Sequence, residues 1–293
     1  GVALGSGQKI TINKFYSLAK TTGSTYYGVI ADSWGTKSLS NAFAVGTAIT
    51  SKTSNTIPCT NVYADNTLGA SGAEMRTADN MQGLDALTSN TKMSGLAECG
   101  AFVATEGYPA LTVFPIIEEE PTLSVWDGSI TKPAGTGAES TPYLITNGSE
   151  LAWYIKFAED WKNTRFAKLT DDIYLNDITK INWETGESEN GYTPNEWFQY
   201  TSSSDKTIGD KFLGNLNGDG HAVYGLYFNK PESVASIGLI PIQANDYSIT
   251  VKNLGIDKSY IASNGKSSAI FGCAEGVDKI IENCYVGKDV TII

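Results

Sequence analysis

The sequence predicts an all-β fold, a right-handed parallel β-helix with short capping helices, and three observations predict it. A five-residue pattern recurs along the chain: apolar, variable, Asn, small or apolar, aromatic. Its copies lie 20–30 residues apart, enough for one circuit of two or three short strands and their turns. The composition suits short strands and tight corners, with only 18% charged residues, 30 Gly and 15 Tyr among 293 residues.

The pattern reads Leu39-Ser40-Asn41-Ala42-Phe43, Cys59-Thr60-Asn61-Val62-Tyr63 and Ile281-Glu282-Asn283-Cys284-Tyr285. Looser copies are Val251-Lys252-Asn253-Leu254-Gly255, Ile12-Asn13-Lys14-Phe15-Tyr16 and Val223-Tyr224-Gly225-Leu226-Tyr227. A second element, such as Ile237-Gly238-Leu239-Ile240 or Ile270-Phe271-Gly272, precedes several of them by about a dozen residues. One circuit therefore reads strand, turn, strand, turn. Stacked circuits pair each backbone group with the level above and below. Apolar and aromatic side chains are expected to stack inside, and Asn41, Asn61, Asn253 and Asn283 to form a corner ladder of amide hydrogen bonds. A residue type repeated at one corner points to structure, because a catalytic role does not recur. An antiparallel sandwich also gives short strands, but it does not require an Asn–aromatic corner.

The chain divides at its composition shifts. Residues 1–65 hold the terminal circuits of one module, and 66–121 a capping segment without the motif. There, Thr77–Leu87 resembles a short helix capped by Thr77, with Met81, Leu84 and Leu87 on one face and Gly83 weakening it. Such a plug would hide an open sheet edge. Residues 122–140 are a linker, entered through Glu118-Glu119-Glu120-Pro121, which reads as solvated rather than as a cation site. Residues 141–293 open the next module with an amphipathic helix over 149–161, capped by Asn147 or Ser149 and carrying Leu151, Tyr154, Ile155 and Ala158 on one face. A strand over 169–175 follows, then a polar insertion over 182–210 with Trp183 and Trp197. The pattern is already running at Gly1 and still running at Ile293, which reads as a fragment or a processed chain.

The net charge of −11 and pI near 4.6 repel phosphate backbones, so nucleic acid is not an expected partner. No apolar run nears the roughly 18 residues of a membrane span. One His and four Cys without a CxxC pair exclude the usual zinc spacings. Cys59–Cys99 and Cys273–Cys284 can pair, or the thiols can be buried apolar groups. Asn147-Gly148-Ser149 is a lone glycosylation sequon. No cofactor is expected apart from calcium, for which Asp210, Asn217 and Asp219 offer oxygens; Asn217-Gly218-Asp219-Gly220 is more simply a tight turn. Trp183, Trp197 and Tyr200 can stack on sugar rings or pack their own loop. Asp171 and Asp172, adjacent on a strand, face opposite sides and do not make a carboxylate pair. His221 has no nucleophile beside it in motif context. No catalytic residue is expected.

Phe212–Tyr227 (FLGNLNGDGHAVYGLY) resembles the entry circuit of GLUG-type β-helix modules of bacterial surface proteins. Gly137–Ala152 is similar to the start of such modules and Glu106–Leu111 to their end. Asn217 stands where the family often has Asp. The resemblance implies an extracellular, cell-surface fold in adhesins or large multi-module proteins, with no catalytic residues. The expectation is a structural or adhesive module whose copies continue head to tail, by tandem repetition or by noncovalent stacking of open ends. Binding of surface glycans through the aromatic insertion is the alternative, and a polysaccharide-degrading enzyme on the same fold comes third.

Overall fold

The structure, a computed structural model, describes residues 2–4, 8–21, 29–31, 35–50, 57–66, 70–114, 124–157, 165–200, 214–234, 236–242, 248–274 and 278–293. It is mostly β, and its largest sheet is parallel throughout. Eight strands form the spine of that sheet: β1 (Gln8–Ser17), β2 (Gly35–Ala44), β3 (Ile57–Ala64), β4 (Tyr143–Ile145), β5 (Arg165–Leu169), β6 (Gly214–Tyr224), β7 (Ile249–Asp257) and β8 (Lys279–Val286).

Their spatial order is β4-β5-β6-β7-β8-β1-β2-β3. The second half of the chain thus precedes the first half in the stack. Parallel neighbours cannot be joined by a hairpin. Between β1 and β2, β6 and β7, and β7 and β8 the chain passes through two smaller parallel sheets. One holds Ile240–Ile242, Phe271–Ala274, Val2–Leu4 and Ile30–Ala31. The other holds Tyr227–Lys230, Ser259–Ser263, Val290–Ile292 and Lys20–Thr21. Each level of the stack is called a rung below.

Register explains the core. In the spine, Ala167, Leu216, Val251, Ile281, Ile12, Leu39 and Cys59 stand in one column across successive strands. Leu254, Cys284, Phe15, Ala42 and Val62 belong to the same buried cluster. Removal of these side chains from water, at about 25 cal/mol per Å² of apolar area, is the main force joining the rungs.

Between those inward positions the strands bend. Lys14, Asn41, Asn61, Asn253 and Asn283 all have φ between 49° and 52°. This left-handed region costs an ordinary L-residue energy, and Asn tolerates it best after Gly. The recurring Asn is therefore selected by the backbone of the corner. Its amides also bond along the stack: Asn61 Nδ2 donates to Asn41 Oδ1 (3.1 Å), Asn41 to Asn13 (3.0 Å), Asn283 to Asn253 (3.1 Å) and Asn253 to Asn217 (2.8 Å).

The aromatic position that ends the pattern lies outside the main core, contrary to the expectation that all the rings stack inside. Tyr16 stacks on Phe43 at 5.1 Å and on Tyr285 at 5.2 Å. With Tyr63 these rings belong to a separate cluster. The residue after an inward side chain points outward in a strand, so the fifth position follows the inward fourth to the other face. Residues 79–114 cover this outer row with Met81, Leu87, Met93, Leu96, Phe102 and Leu111. They form a side cover along the stack. Among the described residues, Ala70–Ser71 and Glu74–Met75 pair beyond β3 at the stack's end.

The expected helix over 77–87 is a single 3-10 turn, Asp79–Met81. Thr77 Oγ1 accepts from Asn80 N (3.3 Å), but Gly83 at φ 96° ends the pattern and leaves Leu84 exposed. The opposite end is closed by α1 (Gly148–Lys156). Asn147 caps it by accepting from Glu150 N, and Glu150 returns a bond to Thr146 N. Leu151, Ala152, Tyr154 and Ile155 seal the core there. The helix is described to Phe157, so Ala158 lies outside the described residues. The strand expected over 169–175 is two pieces, β5 and Ile173–Tyr174, with a turn between them.

Candidate functional site: the seam between the two halves

The join between β8 and β1 is the one place in the spine where neighbouring rungs are far apart in sequence. Seven Cα pairs run through it, from Ile10↔Lys279 to Ser17↔Val286. The side sheets cross it as well, through Val2↔Phe271 and through Thr291↔Lys20. This seam carries the full parallel register of a chain-continuous join.

Its side chains differ in kind along the corner. Lys14 occupies the position that Asn fills in neighbouring rungs, and its ammonium lies 3.6 Å from Glu282 across the seam. Asn13, one residue earlier, takes over the ladder by accepting from Asn41. On the outer face Tyr285 leans over Gly255, where any side chain would strike its ring at 2.4 Å. Lys14 and Gly255 are two departures from the five-residue pattern: Lys14 lies at the seam, and Gly255 makes room for Tyr285, which stacks across the seam. Phe114 meets Tyr285 edge-on at 4.6 Å and closes the row.

Beside these rings sits Asp257. Burial raises its carboxyl above the usual carboxylate range, against hydrogen bonds from Lys258 N (2.8 Å) and Asp289 N (3.3 Å). Tyr224 is pushed up to about 12, first by burial and then by Asp172. Burial also raises Tyr16 and Tyr285, with Asp257 contributing to both. These phenols stay neutral at ordinary pH. The buried Cys284 thiol, opposite Phe15, is pushed up to about 12 and is inert.

The residues singled out from sequence are placed as follows. Asn41, Asn61, Asn253 and Asn283 come together in the corner row. Trp183 and Trp197 are buried, their indoles donating to Ile178 O (3.0 Å) and Leu239 O (2.9 Å). Their rings are spent on packing. Tyr200 ends a short strand antiparallel to Ser236–Ile237. Asn217 accepts from Asp219 N and Asn253 Nδ2, and Asp219 pairs with Lys168 at 2.6 Å. Asn217-Gly218-Asp219-Gly220 is not the expected tight turn: it lies within β6 as a bulge, where the pairing with β7 shifts register between Asn217 and His221; Asp210 and Glu118–Glu120 lie outside the described residues. Among the described residues no group of three or more His, Cys, Asp or Glu side chains is placed to hold a metal ion. Cys59, Cys99 and Cys284 are free thiols, so neither suggested disulfide forms. Asp171 is exposed, while Asp172 accepts from Ala222 N (2.8 Å) and lies 3.4 Å from His221 Nδ1.

Sequence reasoning missed one cleft of about 390 Å³ on the outer face of β5–β7, lined in part by Phe166, Lys168, Asn215, Asn217, Thr250 and Lys252. The oxygens of Asn215 and Asn217 are committed to Thr250 N and Asn253 Nδ2, Lys168 is paired with Asp219, and Glu139 also lines the cleft, which is therefore polar with both signs of charge. Among the described residues no helix is long and apolar enough to cross a membrane. No family model, curated protein or solved structure matches this chain.

Proposed function

We propose that this chain is a non-enzymatic structural or adhesive module of an extracellular surface protein or filament. On this reading it is a right-handed parallel β-helix of GLUG type, whose copies associate head to tail through their ends. One observation carries the proposal: the distinctive side chains repeat from rung to rung as ladders, and these ladders join rungs to one another. The amides of Asn41, Asn61, Asn253 and Asn283 are spent in this way, as are the rings of Tyr16, Phe43 and Tyr285. One end of the stack suits association: beyond β3 it finishes in the short strand Glu74–Met75, whose Met75 is exposed.

Electron microscopy with light scattering over a concentration series tests the proposal. Eight spine rungs at ~4.8 Å give linear particles with an axial repeat of roughly 40–50 Å. A population that stays monomeric at every concentration removes head-to-tail association.

A second reading, carbohydrate binding, is favoured by the polar cleft on β5–β7 rather than by the aromatic insertion. Binding on a glycan array that is lost in Lys252→Gln would support it. An array without signal removes it.

A further inference from the structure

We infer that the β8–β1 seam is the contact through which two copies of this chain exchange halves. This rests on the head-to-tail reading above and changes its interface from the outer ends to the middle of the stack.

Residues 124–157 serve the second half: Trp126 N donates to Tyr174 O, Asn195 Nδ2 to Trp126 O, and α1 seals the core beside β4 and β5. Residues 70–114 serve the first half, covering Phe43 and Tyr63 and pairing beyond β3. They meet the second half at Ala110–Phe114, beside β8. The chain is thus two bodies, 2–114 with the rungs of β1–β3 and 124–293 with the rungs of β4–β8. They are joined covalently between Phe114 and Ser124, and among the described residues they are held together by the seam, by the Ala110–Phe114 contact with β8 and by the adjacent Lys20–Glu184 ion pair at 2.7 Å.

Two bodies on one tether have a choice of partner. Every seam contact that the first body makes with the second body of its own chain is available, in the same register, on the second body of another. The contacts are specific enough to define that partner: the in-register column Ile12/Ile281, Phe15 against Cys284, Lys14 with Glu282, and Tyr16 flat on Tyr285. Only a chain with this sequence carries the complement. Exchange creates and loses no seam contact, so the tether's effective concentration decides between the closed monomer and the exchanged form. Because the two surfaces differ, exchange is heterologous and propagates into open linear assemblies unless it closes a ring.

The experiment uses Thr11 and Ile280, Cα partners across the seam, half-buried and exposed respectively. Thr11→Cys and Ile280→Cys are made in separate full-length chains, mixed, unfolded, refolded together and oxidised. Cross-linked species are mapped by peptide mass spectrometry, which separates the 11–280 pair from links through the native cysteines. Exchange predicts an interchain 11–280 disulfide whose yield rises with the concentration at which the mixture is refolded. The double variant in one chain, refolded dilute, is expected to give the same disulfide within a monomer. Oligomers seen by light scattering without an interchain 11–280 disulfide overturn the exchange and leave association through the outer ends standing. The absence of oligomers at every concentration overturns both.

Discussion

The join between β1 and β2 and the seam between β8 and β1 are built on the same backbone plan and differ in what decorates it. Both are parallel and in register, and both set apolar side chains of one column against each other. At the β1–β2 join the corner is sewn by amides, with Asn41 donating to Asn13. At the seam the corresponding position is Lys14, and an ion pair to Glu282 replaces the amide bond. The outer rings ignore the difference: Tyr16 stacks on Phe43 and on Tyr285 at nearly the same distance. Backbone pairing and apolar columns therefore suffice to join rungs that are not consecutive. The amide ladder is an addition, confined here to each half.

The sharpest way to break the comparison is to remove a side chain that both joins share. Phe15 is buried in the rung between β8 and β2, and Phe15→Ala is expected to cost about 3–5 kcal/mol. Denaturant unfolding of the variant measures the cost. If the seam contributes as a chain-continuous join does, unfolding stays a single transition. A separate early transition for the first half would show the seam to be the weaker join.

A second test uses pH. The folded-state carboxyl of Asp257 lies above its unfolded value because of burial. Protonation is therefore favoured by folding, and this group's penalty is absent below the unfolded pKa and grows as pH rises through the folded one. Asp257→Asn keeps an oxygen for Lys258 N and Asp289 N. It is expected to raise stability at pH 7 by about 1.4 kcal/mol for each unit of displacement and to have little effect at pH 3. Melting temperatures across that range check the sign; a variant less stable at neutral pH contradicts it.

The smallest effect sharpens the corner. Lys14→Asn places the tolerant residue in the left-handed region and gives up a half-exposed ion pair. A net gain of roughly 0.5–1 kcal/mol is expected, because strain of about 1–2 kcal/mol for an ordinary residue exceeds the value of a surface ion pair. Chemical denaturation of wild type and variant in parallel measures it.

Much of this plan was legible in the sequence. Asn at the third position of the five-residue pattern marked the corners, a place few residues accept because of its positive φ, and of the two caps read for α1, Asn147 and Ser149, Asn147 is the one used. The face of the aromatic position was not legible, since the corner residue interrupts the simple alternation from which inside and outside are counted. Trp183 and Trp197 read equally well as a sugar platform or as packing, because composition does not say which ring is covered. The join of the last rungs to the first was expected between copies, head to tail, and not within one chain. The five-residue pattern shows that Ile12 and Ile281 are equivalent, but register between the two depends on the path of everything between them. The expected division into a finished module and a new one places 1–65 and 141–293 apart, whereas here they share all three parallel sheets.

The inverted order of the halves also sets a timetable. During synthesis β1 leaves the ribosome some 270 residues before β8, which at usual translation speeds is roughly 15–55 s. For that interval the edge of β1 has no native neighbour in its own chain. On a crowded polysome the first β8 that β1 meets can belong to the nascent chain ahead, so the choice between self and neighbour is open before either chain is released.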